Sequence, residues 1–578
     1  MDMTEMKREF ELRRAAGREV LRSVSFSGDL YATAAVLCLQ EGVRTEAAEA
    51  QLKFTAEWFE HPHPNGRNHR GEADFAAIGM VPILCDGYDR LSEDCRAALD
   101  RFFLERDYRS MHGSENHAIM ARVARLLAAE FYTDRQFVQY GKSAEEIRAE
   151  DEAYIDEFLM YRAGRAWGEF DSLGYGAEDL SILNTLFTYT KNDRLRKKAG
   201  MMLDMVLLDM IVDSKEGIYG GAHGRSYPEA VLDSTFSSIV THGKAHFYHS
   251  TMYGYYCYYF GAEGGRPAPV MTHASALTSP YYPSEMVCRV AKCRKLPYEN
   301  RERKHLHVMT AWDNGINRRE LALVEGLSID KYIYVCEDYM LGSITHQDAY
   351  PKGLICAWYA HHQQHEWELT LPGDGRAKIF THHPGDPGEY KIHNRWTGDS
   401  FCNCGTHFCT RDTAISMYNI KGEKEFPYIN ADVPLEFFRE RREAGNFLFL
   451  RHGKIFIMLW FANGYHYVTE GETAGYELLS DGRQHAVVCH VAKTSAFGDS
   501  IDTFAAAMQA EAPRFDAETM TVEFRDIRMD YENRWVKGEK QVFPYKNLYE
   551  SPWLWSEYGS GVLHISDGER EEIMDFNF

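Results

Sequence analysis

The chain reads as a multidomain α+β protein, an incomplete (α/α) toroid followed by an antiparallel β-sandwich. Three observations carry this. Apolar residues recur at i, i+3 and i+4 up to about residue 262, and at every second position beyond it. The stretch Gly261-Ala262-Glu263-Gly264-Gly265-Arg266-Pro267-Ala268-Pro269 divides the two regimes with chain breakers. A length of 578 residues exceeds what one apolar core serves. The expected division is a helical part over residues 1–265 and a strand-rich part over 266–578, with room for a small C-terminal β extension.

In order along the chain, helical spacing marks residues 29–40, 45–59, 72–91, 93–104, 115–131, 144–161, 177–190 and 193–211, then a Tyr-loaded stretch at 244–260. Ser92 before Glu93-Asp94 and Ser114 before Glu115 are N-cap signals. Short connections favour antiparallel neighbours. The chain shows no repeat of fixed period, which favours a closed toroid over a solenoid. Beyond the boundary, residues 331–336, 414–418 and 486–491 read as strands. Residues 446–450 with 455–460, and 562–565 with 571–574, read as hairpins.

Composition narrows the partners. The net charge is −22 and no basic run of five residues interrupts it, which excludes nucleic acid and anionic membrane. An acidic oligosaccharide remains compatible, because local Arg and His groups act within a Debye length. The 35 Tyr and 10 Trp suit stacking against sugars, although a large aromatic core uses them equally well. The first residues, Met1-Asp2-Met3-Thr4-Glu5-Met6, carry no apolar signal region, and no run of 18 apolar residues occurs. A cytoplasmic protein with reduced thiols is expected, and a homo-oligomer stays open. Cys402, Cys404, His407 and Cys409 form the tightest metal-like cluster but lack paired C-x₂-C spacing. No cofactor is expected, with a divalent metal such as zinc or calcium in the β-domain left as an alternative.

Four polar loops are the places for chemistry. The first, residues 61–70, holds three His and two Arg, as a substrate rim or a solvated loop. The second, His112-Gly113-Ser114-Glu115-Asn116-His117, opens a helix, where backbone N–H groups favour an anion. The third, Glu169 to Gly176, holds Tyr175 between glycines. A phenol there acts as a base only if neighbouring cations lower its pKa. The fourth, Tyr219-Gly220-Gly221-Ala222-His223-Gly224-Arg225-Ser226-Tyr227, carries an Arg fork suited to a carboxylate. This mixture suits β-elimination at a uronic acid: Asn116 and Arg225 neutralise the carboxylate, and His117 and Tyr175 share the proton transfers. Tyr227 joins the catalytic candidates, and Glu115 and His223 join the substrate-binding ones.

The order of toroid and sandwich, with Asn116-His117 at a helix start and Tyr175 following 58 positions after His117, resembles the heparinase II/III and oligo-alginate lyase group. The resemblance covers most of the chain, with no single diagnostic motif. It implies a polysaccharide or oligosaccharide lyase with catalytic Asn, His and Tyr, and one further His or Tyr from the β-domain. Gln363-Gln364-His365-Glu366-Trp367 is the stretch chosen for it, giving His365 as catalytic and Gln364 as substrate-binding, with His346 and His383 as rivals. The chain lacks that group's His-x-His-x-Asp stretch ahead of a strand, which leaves open the structural zinc of some members and the identity of the β-domain His. Two rival readings stand beside the lyase. One is a toroid glycoside hydrolase using Asp171 or Glu115 as acid. The other is a non-catalytic glycan-binding scaffold.

Overall fold

The computed structural model describes residues 2–26, 31–58, 73–108, 114–235, 240–241, 244–245, 252–262, 273–306, 308–310, 320–323, 328–346, 355–356, 364–384, 396, 404–423 and 425–578. The fold is mixed α and β, helical at its start and rich in antiparallel sheet afterwards.

Helices Thr33–Glu41, Ala73–Cys85, Glu115–Phe131, Tyr175–Tyr189 and His273–Thr278 contact one another in that order, and the last touches the first. Thr45–Trp58, Ala144–Arg165 and Asp193–Val212 each pack against a member of this circuit. Of the expected caps, Ser92 accepts from Cys95 N–H at 3.4 Å, while Ser114 holds the N-cap position without a side-chain cap bond. Ser143 and Glu146 close a reciprocal capping box, and the Asn192 side chain accepts from two backbone N–H groups.

Two expectations shift. The Tyr-rich helix spans Met252–Phe260, and residues 244–245 ahead of it are extended. Helices also continue past residue 265, with His273–Thr278 and Glu285–Cys293, so the change to strands falls at Tyr298. The Gly/Pro stretch, of which residues 263–269 lie outside the described residues, thus falls in sequence between two helices. Chain breakers mark where an element ends but carry no information on which type follows.

The sheets form successive layers. A twelve-stranded sheet holds, among others, Tyr298–His305, Ser328–Val335, Met340–His346, Trp367–Thr370, Lys378–His382 and the late strands Asn547–Glu550 to Glu571–Asp575. One of its faces, with Ile333, Met340 and Tyr549, shares the helical core. The other, with Leu341, Trp367 and Leu369, shares a core with the six-stranded sheet. Strand Ile455–Phe461 of the six-stranded sheet is buried on both faces. Ile455, Ile457 and Leu459 face the large sheet, while Phe456, Met458 and Trp460 meet helix Ile501–Ala510 and a small five-stranded sheet. That double burial explains a continuous apolar run where one buried face would give alternation. The hairpins expected at 446–460 and 562–574 form in register, with His452 opposite Ile455 and Ser566 opposite Glu571. Among the described residues no helix is long and apolar enough to cross a membrane.

Candidate functional site

Three circuit helices begin at one place. Asp74 lies in the first turn of Ala73–Cys85, Asn116 and His117 in that of Glu115–Phe131, and Tyr175 and Glu178 in that of Tyr175–Tyr189. Tyr175 therefore opens a helix, two residues ahead of the expected start at 177. Converging N-termini present unsatisfied N–H groups and positive dipole ends, which favour negative charge. Five buried carboxylates collect there: Asp74, Glu115, Glu169, Glu178 and Asp179.

The loop at 168–174 lies across these helix starts, and the loop at 219–227 lies on top of it. Gly224 N–H donates to the Phe170 carbonyl at 2.6 Å, and Ser172 Oγ donates to the Arg225 carbonyl at 2.9 Å. The contact requires glycine, because a Cβ at 224 would stand 2.8 Å from the Phe170 ring. Arg225 sits at φ 35°, a left-handed conformation costly for a residue that carries a Cβ.

Side chains then pair across the loops. His117 Nδ1 is 2.5 Å from Asp74 Oδ2, and Asn116 Nδ2 donates to Glu178 Oε2 at 2.7 Å. Arg225 Nη1 donates to Glu169 Oε1 at 2.7 Å, and its guanidinium lies 3.7 Å from the Tyr175 ring centre. The Tyr175 and Tyr227 hydroxyls are 2.7 Å apart. Of the residues expected from sequence, Asn116, His117, Tyr175, Arg225 and Tyr227 come together here.

Burial sets the protonation of the cluster. It pushes the Glu178 carboxyl up to about 8 against the opposing Asn116 hydrogen bond and Arg225 charge. It also raises Glu169, with Arg225 opposing, and raises Asp179 further, with the charges of Glu115 and Glu169 adding to it. Tyr175 rises well above the usual phenol range, since burial outweighs the Arg225 guanidinium. The phenol is therefore neutral, which disfavours the base role considered for it from sequence.

Other expected residues are engaged differently. Glu115 stays within the cluster but is fully buried, paired with Arg162 at 2.8 Å and accepting from Gly168 and Glu169 N–H, so it clamps the loop. Asp171 is locked between Lys304 and Lys331 and held down to about 2: burial opposes ionisation, but both ammonium charges outweigh it. Neither suits the acid of a hydrolase. His223 faces the sheets while Arg225 turns to the helix starts: the bend at Gly224 and the left-handed φ of Arg225 break the alternation that would place both on one face. The His223 backbone exchanges two 2.8 Å hydrogen bonds with His365, and the two rings stack at 5.7 Å. His365 is fully buried, with Nδ1 3.0 Å from His382 Nε2 and Nε2 3.0 Å from Glu368 Oε2. Its imidazole is thereby tied into the strand layer and not into the Tyr175 cluster. Gln364 is buried beside it. His383 is 2.9 Å from the Phe426 carbonyl. Residues 61–70, His112, Gly113, Gln363, Cys402 and the His346 side chain lie outside the described residues.

In the Cys-rich stretch the described residues are engaged with protein partners. His407 contacts Ser416 and Glu366, while Cys404 and Cys409 pack in the apolar core. Asp171, Asp209 and Glu302 are the described group close enough to share an ion. Lys304 already contacts all three, so ammonium occupies the place a cation would take.

Asp74, Glu169, Glu178 and Asp179 are the functional candidates that sequence reasoning missed. Their signal was an acidic residue on an otherwise apolar helix start, in Ala73-Asp74-Phe75 and Ala177-Glu178-Asp179-Leu180. A separate cavity of about 70 Å³ between the circuit helices is lined by Gln40, Asn184, Thr188 and Ser275 among others. It carries no carboxylate, His or Arg among its lining residues. No protein-family model matches this chain, and no curated protein matches it.

Proposed function

We propose that the protein is a polysaccharide or oligosaccharide lyase that cleaves an acidic glycan by β-elimination, with its helices as an incomplete (α/α) toroid and its large sheets as an antiparallel β-sandwich. One observation carries the reading: His117–Asp74, Asn116–Glu178, Arg225–Glu169 and Tyr175–Tyr227 pair within one cluster at converging helix starts. Arg225 and Asn116 neutralise the uronate carboxylate, acidifying the C5–H bond. The proton on Glu178 removes a charge that would otherwise repel that carboxylate. His117, oriented by Asp74, takes the C5 proton. The C4–O bond then breaks as C4=C5 forms, and the Tyr175 hydroxyl, hydrogen-bonded to Tyr227, protonates the departing oxygen. Short uronate chains in the cytoplasm complete the reading.

Incubation with a panel of polyuronates and their oligomers tests it. The unsaturated product, its C4=C5 bond conjugated with the carboxylate, absorbs in the ultraviolet at wavelengths shorter than the protein aromatic band, and a hydrolytic product does not. Cleavage without that absorbance replaces the lyase by a glycoside hydrolase. The protonated Glu178 favours that second reading as its acid, in place of Asp171 or Glu115.

A further inference from the structure

The five-stranded sheet comprises Arg514–Asp516, Thr521–Phe524, Ile527–Met529, Arg534–Val536 and Glu539–Lys540. Its register places Arg514 opposite Glu523, Glu523 opposite Arg528, Arg528 opposite Trp535, and Trp535 opposite Lys540. These five side chains therefore form one row on one face. Val522, Phe524, Ile527 and Met529 point the other way, into the core shared with the six-stranded sheet. At ~4.8 Å between strands the row is ~19 Å long.

The row holds three cations and one carboxylate in a chain of net charge −22. The Arg514 and Arg528 side chains are 81% and 56% exposed. The Arg528 guanidinium lies 5.1 Å from the Trp535 ring centre. Beside the row, an open groove of about 1180 Å³ runs between the end of helix Ile501–Ala510 and the 525–528 turn. Its wall adds Arg525 to the row, together with the carboxylates Glu511 and Asp526. Arg525, at φ 50°, donates to Glu511 at 2.8 Å and contacts His490 Nε2 at 2.9 Å. Burial keeps His490 neutral, so its ring nitrogen accepts from the guanidinium and aims it.

We propose that this face is a second glycan-binding site, holding a segment of an acidic polysaccharide outside the catalytic cluster. Trp535 supplies a flat surface for a sugar ring, and Arg514, Arg528 and Lys540 meet carboxylates spaced along the chain. A duplex nucleic acid carries one charge per ~1.7 Å, which a sparse row on an acidic protein does not match. A polyuronate carries one charge per sugar, which it does. The ligand class rests on the lyase reading; the row and groove do not.

Affinity electrophoresis of the full chain through gels containing polygalacturonate or alginate tests the proposal, with hydroxyethylcellulose and duplex DNA as comparisons. Retardation is expected in the polyuronate gels alone. Trp535→Ala and the exposed double variant Arg514→Ala/Arg528→Ala each weaken it about tenfold. Arg528→Lys falls between, because charge remains and the planar fork does not. Tyr175→Phe leaves retardation intact. Should Trp535→Ala not fold, the arginine pair carries the test. Unretarded wild-type protein, unchanged binding in the folded variants, or equal retardation by DNA each overturns the proposal. Retardation lost in the row variants, with no cleavage of any polyuronate, upholds this site and rejects the lyase.

Discussion

Replacing Tyr175 by Phe removes one oxygen and its 2.7 Å hydrogen bond to Tyr227, while the ring stays under Arg225. Turnover on the cleaved glycan should fall by about 10²–10⁴, the range for a positioned proton donor. The melting temperature should move little. A fully active, stable variant removes Tyr175 from the mechanism. Glu178 makes a different prediction, through pH. Its carboxyl rises from 4.5 to about 8 on folding, so the folded state binds a proton that the unfolded chain releases. That contribution to stability is complete below about pH 4.5 and lost as pH rises through about 8. Glu178→Gln keeps an acceptor for Asn116 and does not titrate. Its melting temperature should therefore decline less than the wild type's across that window, and parallel curves would show that Glu178 ionises normally. Asn116 and His117 were legible as residues because polar groups at a helix start stand out, and Tyr175 because it sits between glycines in a polar loop. Their partners Asp74 and Glu178 were not, since a carboxylate in a first turn reads as a dipole-stabilised surface residue until burial is known.

At the scale of elements, the junction of the two loops depends on Gly224. A methyl group there meets the Phe170 ring at 2.8 Å and its backbone nitrogen at 3.0 Å. Gly224→Ala should cost about 1–3 kcal/mol of stability. It should also reduce turnover by drawing Arg225 away from Glu169 and Tyr175. Thermal melting and turnover measured on one preparation check this. A variant with both unchanged would show that the loops separate without consequence. The helices and hairpins themselves were legible, because periodicity reports which faces are buried. The two helices beyond residue 265 were not, being only His273–Thr278 and Glu285–Cys293. Segments of two turns or so are too short for a 3.6-residue period to separate from coil.

Across the whole molecule, the helices and the twelve-stranded sheet are joined by charge as well as by apolar surface. Lys331 bridges Asp171 and Asp213, and Lys304 bridges Asp171, Asp209 and Glu302, with both lysines fully buried. Lys331→Met fills the space but takes the buried ammonium from Asp213 and leaves Asp171 with Lys304 alone, a loss of about 3–5 kcal/mol. The denaturation midpoint should fall accordingly; an unchanged midpoint would mean that water already reaches the network. No sequence pattern announced this junction. Lys304 and Lys331 sit on strands whose neighbours alternate normally, and only the pairing of Ile329 with Lys304 and of Lys331 with Glu302 brings the two together.

The strand Tyr298–His305 has Ser328–Val335 on one side and Asn547–Glu550 on the other, with Tyr549 opposite Glu302. During synthesis the first neighbour emerges almost at once, whereas the second waits for nearly the rest of the chain. Until then this strand, with Lys304 at its heart, is an open edge available to any other extended segment. Folding must therefore be slow at this step, as pairing remote in sequence generally is, and the nascent chain is most exposed to mispairing just before its last strands arrive.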